Sequence, residues 1–442
     1  MMWSAVSGQR SDRGVAIGQV EARNRVSECS TRYQSDPYRL IDEVDGVGFK
    51  TADAIARSLG IEPDSESRYL QGLVQVFKDA QSQGHCFLPE TELINRAVLL
   101  LELPQHTPSI SAVQEAIAKG KQNQTLAAGL LSGSIYLRGV YRIELRVALQ
   151  TIGFLGQPTQ LTEDLEEWLL RYESAAERSY NLSEEQSQAL FMAERHAFSI
   201  LTGGPGRGKT YILKILVQWL KFKGLKVALA APTGKAASRM KNATSIEAYT
   251  IHRLLQWEGA GQSFRYNDKN PLDIDWLIVD EFSMVDIFLF NSLLKALPAR
   301  AKVLLVGDSD QLPSVGPGMV PRDLLISEMV PTTRLQTIYR QQKNSDIIYA
   351  ADAVNKGKIP KLQKFKQLNN VVAACVENEY ADCAMWETPT PEATAQAIIE
   401  LTAAMKAENL DLTKSLMVLA PQKKGVCGVR NLNILLQPIF NP

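Results

Sequence analysis

The sequence predicts an α/β protein whose parallel sheet carries a phosphate-binding loop, preceded by a mainly helical region. Three observations predict this. Short, almost wholly apolar runs recur as AFSILTG, KVALAAP, DWLIVDE and KVLLVGD, each ending in small or polar residues. Such runs are what a parallel sheet covered on both faces requires. The first run opens into GGPGRGKT at residues 203–210, and the amphipathic run YILKILVQWLKFKG follows. Before about Ala197 no strand–helix alternation is visible, and from Pro37 the pattern is helical.

In chain order, residues 1–35 show no periodicity and form an undefined leader. Residues 36–180 are expected to form the helical domain. PYRLIDEV reads as a short helix, DGVG as a turn, and FKTADAIARSLG as a second helix ending on Gly60. SRYLQGLVQVFKDAQSQG, TELINRAVLLLEL and SAVQEAIAKGKQ continue the helical pattern. A small strand pair is expected around SIYLRGVYRIE, and the acidic LTEDLEEWLLRYESAAERSYN as a bridging helix or linker. Residues 181–335 read as the ATPase domain and 336–442 as part of a second α/β domain, with SLMVLAP as another buried strand.

Composition narrows the function classes. The chain has 442 residues, which suggests about three domains. No apolar run approaches the roughly 20 residues of a membrane helix, and the amino-terminal residues lack the apolar core of a signal peptide. Cys29, Cys86, Cys375, Cys383 and Cys427 form no Cys-x-x-Cys pair, and the four histidines do not cluster with them. That argues against a zinc site or disulfide framework and for a reducing cytoplasm, with no membrane partner. Formal net charge is zero, yet no Asp or Glu occurs from Arg195 to Ile246, a stretch containing ten Lys and Arg. A segregated basic stretch can gather phosphate ligands on one surface, or be a solvated helix face.

The loop at 203–210 fits G-x-x-x-x-G-K-[ST] between a strand and a helix. Gly203, Gly204, Gly206, Arg207 and Gly208 would present backbone N–H groups to phosphate oxygens at the positive end of the following helix, with Pro205, which has no N–H, completing the loop. Lys209 would reach the β- and γ-phosphates of ATP, and the Thr210 hydroxyl would bind Mg²⁺. Arg207 either contacts phosphate or points to solvent. About 70 residues on, the strand LIV delivers Asp280 and Glu281 together. Asp280 suits Mg²⁺, and Glu281 suits a general base that orients water; two roles need two carboxylates.

The order GGPGRGKT, APTGKAASRM, TIHRLL, IVDEFSMVD, VGDSDQLPSVGPG, RLQTIYRQ and VLAPQKKGVCGVRNLN resembles the RecD-like helicases of superfamily one, the 5′-to-3′ branch. The resemblance covers about residues 36–442 and is strongest from 182 onward. It implies a RecA-like P-loop NTPase motor domain, preceded by a helical DNA-binding domain and followed by a partial second RecA-like domain. It assigns adenine recognition to Gln186, γ-phosphate sensing to Gln311 with Asp308 or Asp310 in support, and the arginine finger to Arg340. It assigns Pro232, Thr233, Lys235, Arg239 and His252 to single-stranded DNA, and a strand-separating pin hairpin to about 257–271. VDGVGFKTADAI fits a helix–hairpin–helix in which Gly46 and Gly48 turn their amides to a DNA phosphate and Ala52 allows close packing. This front module resembles the stand-alone enzymes of the family.

The sequence also departs from the family. Family members continue past LQPIFNP, the small amino-terminal barrel is not recognisable, and Phe282 replaces a small residue. The chain therefore reads as truncated, with a complementing carboxy-terminal chain as one expected partner. The function expected is an ATP-dependent 5′-to-3′ DNA helicase acting on single strands and duplex junctions, in repair or recombination. The alternative is a DNA- and ATP-binding remnant that does not unwind. A conjugative-relaxase helicase is disfavoured, because no histidine cluster or tyrosine-rich nicking segment is found.

Overall fold

A computed structural model of the protein describes residues 36–44, 46–158, 164–175, 182–259, 263–337, 345–365, 383–408 and 411–441. The chain divides into two compact units. One comprises Met1–Leu182, Ser187–Leu201 and Leu213–Thr333; the other comprises Ser183–Gln186, Thr202–Ile212 and Arg334–Pro442.

The front of the first unit is helical, as the periodicity predicts. In helix Phe49–Ser58 the buried positions are Phe49, Ala52, Asp53 and Ala56, a stripe at helical spacing. It packs beside helix Glu66–Ser82, which buries Tyr69, Leu73, Val76, Phe77 and Ala80. Gly72 is required there, because a Cβ would lie 2.6 Å from Leu101 Cδ2. An ion pair sits inside this core. Arg68 is fully buried and its Nε donates to Asp53 Oδ1 at 2.8 Å. Tyr38 donates its hydroxyl to the same oxygen at 2.9 Å. Burial, and then the Asp53 carboxylate, push the Tyr38 hydroxyl well above its usual range, so it remains a donor.

The small strand pair expected around SIYLRGVYRIE is present but displaced upstream. Of that segment only Ser134–Leu137 is a strand (β3), and RGVYRIE begins helix Arg138–Leu155. β3 is the centre of a three-stranded sheet, antiparallel to β1 (Phe87–Pro89) and to β2 (Leu126–Ala128). Strands of three or four residues carry too little alternation to show in sequence.

The second sheet has six strands in the order β11-β4-β10-β9-β5-β6. They are β4 (Phe198–Gly203), β5 (Val227–Ala231), β6 (Ala248–Thr250), β9 (Trp276–Val279), β10 (Lys302–Gly307) and β11 (Thr332–Leu335). β10 and β5 both run parallel to β9, and β6 runs parallel to β5. All four predicted apolar runs are strands of this sheet. One continuous core joins it to the helical region, from Cys86, Tyr136 and Phe154 to Phe198, Phe290 and Val330. At that junction Gly318 N donates to Gly84 O at 3.0 Å, and Gly318 holds φ +93° with Ile287 Cβ 3.0 Å from an added Cβ. Gly318→Ala is therefore expected to destabilise the chain by about 1–3 kcal/mol, read as a lowered urea midpoint.

In the second unit β12 (Gln363–Phe365) pairs in parallel with β13 (Ala384–Trp386). Helices Pro391–Ala407 and Val429–Phe440 pack through Ala395, Leu432 and Leu436. The strand expected at SLMVLAP is corrected: Leu412–Ser415 is a helical turn and 416–420 is not a strand among the described residues. An apolar run becomes a strand only where a neighbour completes its backbone hydrogen bonds.

Candidate nucleotide and nucleic-acid sites

The glycine loop leaves β4 as expected. Gly206 and Gly208 hold φ of +72° and +88°, a region in which glycine has no steric cost. The loop runs into helix Lys209–Phe222, whose amino-terminal end is the positive pole of the helix dipole. Together the loop amides and this helix end make an anion-binding concavity, so the residues fit a polyphosphate. The Lys209 ammonium donates to Gly203 O and, at 2.9 Å, to Gly204 O, so it lies across the loop. Thr210 is exposed at the first helical turn. Gly203 lies close to β11: a Cβ there would sit 3.0 Å from both Leu335 Cβ and Leu335 O and would press on that strand.

Arg207 follows neither sequence reading by itself: its Nη1 donates to Leu335 O at 3.1 Å, tying the loop to the end of β11. Glu185 makes a second tie that sequence reasoning missed. Its Oε2 accepts from Gln336 N at 3.0 Å and Thr337 N at 3.2 Å. Burial alone would raise the Glu185 carboxyl, but these amides, the Thr337 hydroxyl and nearby Arg207 together hold it below its usual range. Gln186, next in sequence, is buried, and its Oε1 accepts from Ser183 N at 3.0 Å while Ser183 Oγ accepts from Gln186 N at 3.3 Å. This is a capping box for helix Glu184–Arg195, and it engages the amide oxygen. Arg340 lies outside the described residues.

The carboxylate pair belongs to the first unit. Asp280 N donates to Ala230 O at 2.9 Å, which fixes the end of β9. Glu281 then takes φ 51°, ψ 40° at the head of the turn Phe282–Met284. This left-handed conformation costs a non-glycine residue about 1–3 kcal/mol and concentrates at functional sites. Glu281 N donates to Asp280 Oδ1 at 2.9 Å. The Glu281 side chain accepts at Oε1 from Arg239 Nη2 at 3.0 Å. Two adjacent carboxylates, both part-buried and one on left-handed backbone, fit a divalent cation and a water-orienting base. Phe282, the departure from the family, is a core residue that meets Phe290 edge-on at 5.1 Å.

The loop after β10 is built by buried Asp308: its Oδ1 accepts from Asp310 N at 3.0 Å and its carbonyl from Gln311 N at 3.3 Å. The Gln311 side chain is exposed.

Pro232 and Thr233 precede helix Gly234–Thr244, where Thr233 Oγ1 caps by accepting from Ala236 N at 3.3 Å. Lys235 and Arg239, four residues apart, lie on one exposed face of that helix. The basic stretch is not a uniformly positive surface, because the fold brings acids to it. Lys223 meets Asp164, Lys226 meets Asp273, and Lys241 meets Glu247. His252 is exposed, with its ring 5.8 Å from Phe264 and 6.5 Å from Trp257. Those two rings face each other across an antiparallel pair, β7 (Trp257–Glu258) and β8 (Ser263–Phe264), within the segment read as a pin. The pair is a hairpin, and residues 260–262 fall outside the described residues. Gly46 holds φ +86° and Gly48 begins helix Phe49–Ser58 in extended conformation. Nothing lies within 4 Å of a Cβ built on either, so another backbone can approach both.

Residues 27–87 match the model of the ATP-dependent RecD2 DNA helicase HHH domain, and residues 186–317 match that of an AAA domain. The chain is 33% identical to the ATP-dependent RecD2 DNA helicase of Deinococcus radiodurans over 439 residues, 97% of this chain and 57% of that protein. It is 31% identical over 248 residues to the RecBCD enzyme subunit RecD of Haemophilus influenzae, covering 51% of this chain and 39% of that one. The Pif1 helicase from Candida albicans aligns at 21% identity with a TM-score of 0.33, over 46% of this chain and 56% of that one. The chain thus spans just over half the length of the RecD2 protein it matches. Among the described residues, no helix is long and apolar enough to cross a membrane.

Proposed function

We propose, from a chain that is RecD-like over nearly its whole length, that this protein is an ATP-driven motor on single-stranded DNA, of the 5′-to-3′ helicase type. The observation that carries the proposal is the glycine loop with Gly206 and Gly208 at positive φ, leading into the helix that begins at Lys209. Its domains are assigned as a helical DNA-binding module at 36–180, an ATPase domain at 181–335 and part of a second RecA-like domain at 336–442. It works in the cytoplasm, in repair or recombination, and meets strands and duplex junctions.

The roles follow from residue chemistry. The backbone N–H groups of Gly203, Gly204, Gly206, Arg207 and Gly208 bind the phosphates, with Pro205 completing the loop, and Lys209 exchanges its carbonyl partners for phosphate oxygens. As metal candidates, Thr210 and Asp280 would each offer an oxygen to Mg²⁺, which would shield the charge on the phosphate oxygens. Glu281 orients the attacking water, Gln311 reads the γ-phosphate, and Arg340 supplies positive charge to the transferring group. The Gln186 NH₂ remains able to meet an adenine acceptor, since its oxygen serves Ser183. Arg207 and Glu185 hold residues 335–337, the segment that leads to Arg340. Pro232, Thr233, Lys235, Arg239 and His252 line the strand, and Gly46 and Gly48 meet a backbone phosphate.

Hydrolysis of ATP with and without oligo-dT tests the proposal. Turnover that rises with the oligonucleotide is expected; a folded chain with no turnover in either condition would overturn it. Unwinding is read separately, on a 5′-tailed duplex. There Trp257, half-exposed on the hairpin, is expected to matter most. Trp257→Ala should lower unwinding about tenfold more than it lowers hydrolysis, the scale of one lost base stack. An equal loss in both assays would remove the hairpin from strand separation.

A further inference from the structure

We infer that Arg239 is a positioning residue that holds the Glu281 carboxylate until a nucleic-acid phosphate takes its guanidinium. The inference rests on the reading of Glu281 as water-orienting base and of helix Gly234–Thr244 as DNA-facing. Its ground is one contact: Arg239 Nη2 donates to Glu281 Oε1 at 3.0 Å, across 42 positions of sequence. A cation expected on DNA and a carboxylate expected on water are therefore each other's partners.

The two ends of the contact differ in access. The Arg239 side chain is 65% exposed and the Glu281 side chain 21%. A ligand arriving from solvent reaches the guanidinium before the carboxylate. Lys235 lies one turn earlier on the same exposed helix face, so a phosphodiester approaching there meets two cations. Guanidinium binds phosphate through two parallel N–H bonds, a better match than the single bond to Glu281. An ion pair this exposed is weak enough to be exchanged.

Release has a defined consequence for Glu281. Its backbone is pinned in the left-handed region and its N–H is engaged by Asp280. The side chain alone is left to move. Held by Arg239, Oε1 is committed to a guanidinium; released, it can accept from water. DNA would thus raise hydrolysis by freeing a group already in place, with no movement of β9. Linkage requires the converse: Glu281 must weaken DNA binding by occupying Arg239.

The test is a double-mutant cycle on the full chain, read by anisotropy of labelled oligo-dT without nucleotide. Glu281→Gln is expected to tighten binding about two- to fivefold, the range of an exposed pair, and to do nothing once Arg239 is Ala. The same tightening in both backgrounds would be a general charge effect and would overturn the inference. Arg239→Lys should fall between the two, because it keeps charge and loses the fork. The second arm is hydrolysis. Arg239→Ala should raise the DNA-free rate about two- to fivefold and shrink the stimulation by DNA. An unchanged DNA-free rate, with only more DNA needed, would also overturn it. If the unaltered chain binds oligo-dT but hydrolyses nothing, the motor reading falls while the binding cycle still decides this contact. Failure to bind oligo-dT overturns both.

Discussion

Lys209→Ala is expected to lower DNA-stimulated ATP hydrolysis by about 10³-fold, at the upper end for removing one preorganised group that stabilises transition-state charge. The reason lies in the loop. The loop's backbone N–H groups can hold phosphate with or without the lysine, and Gly206 and Gly208 keep their positive φ whatever follows. What the variant loses is the lysine cation at the mouth of the helix, which can move onto the transferring phosphoryl group. In the present arrangement that ammonium is satisfied by Gly203 O and Gly204 O. Ala leaves both carbonyls beside the loop without that donor, so nucleotide affinity should also fall. Steady-state hydrolysis and titration with a fluorescent nucleotide separate the two effects. A rate within tenfold of the unaltered chain would mean that Lys209 remains on its carbonyls during turnover.

The second large effect is expected far from the nucleotide. Asp53→Ala should open the helical module by about 3–5 kcal/mol, the cost of leaving a buried charge without its partner. Arg68 is fully buried, and besides Asp53 its guanidinium meets only neutral acceptors in the hydrogen bonds described: Pro63 O at 2.8 Å and Leu101 O at 2.9 Å. Two carbonyls cannot neutralise it. Tyr38 loses its acceptor in the same step. Arg57, 3.4 Å from Asp53, is half-exposed and can turn to solvent. Hydrogen exchange of helices Phe49–Ser58 and Glu66–Ser82 should show the opening locally. Combining Asp53→Ala with Arg68→Met should recover much of the loss, because the buried charge is gone. Exchange unchanged in the single variant would show that water reaches Arg68.

The reading of β4, β5, β9 and β10 was possible from sequence because each is a contiguous apolar run of strand length. The glycine loop, Lys209, Thr210, Asp280 and Glu281 were legible for the same reason: their chemistry sits in a few consecutive residues. The three-stranded sheet was not legible, because its strands are too short for a pattern and β1 joins β3 across about 50 positions. SLMVLAP misled because it satisfies composition while the ladder that makes a strand depends on a neighbour.

Sequence alone thus determined the geometry of the loop, through glycines at its two positive-φ positions, Gly206 and Gly208. Tertiary structure decided who holds whom. Glu185 reaches residues 336 and 337, Arg207 reaches Leu335, and Arg239 reaches Glu281, each across more than 40 positions. No local pattern encodes such pairs, because backbone propensity acts over a turn or a strand. A side-chain ion pair forms wherever packing of the whole core happens to bring its ends together.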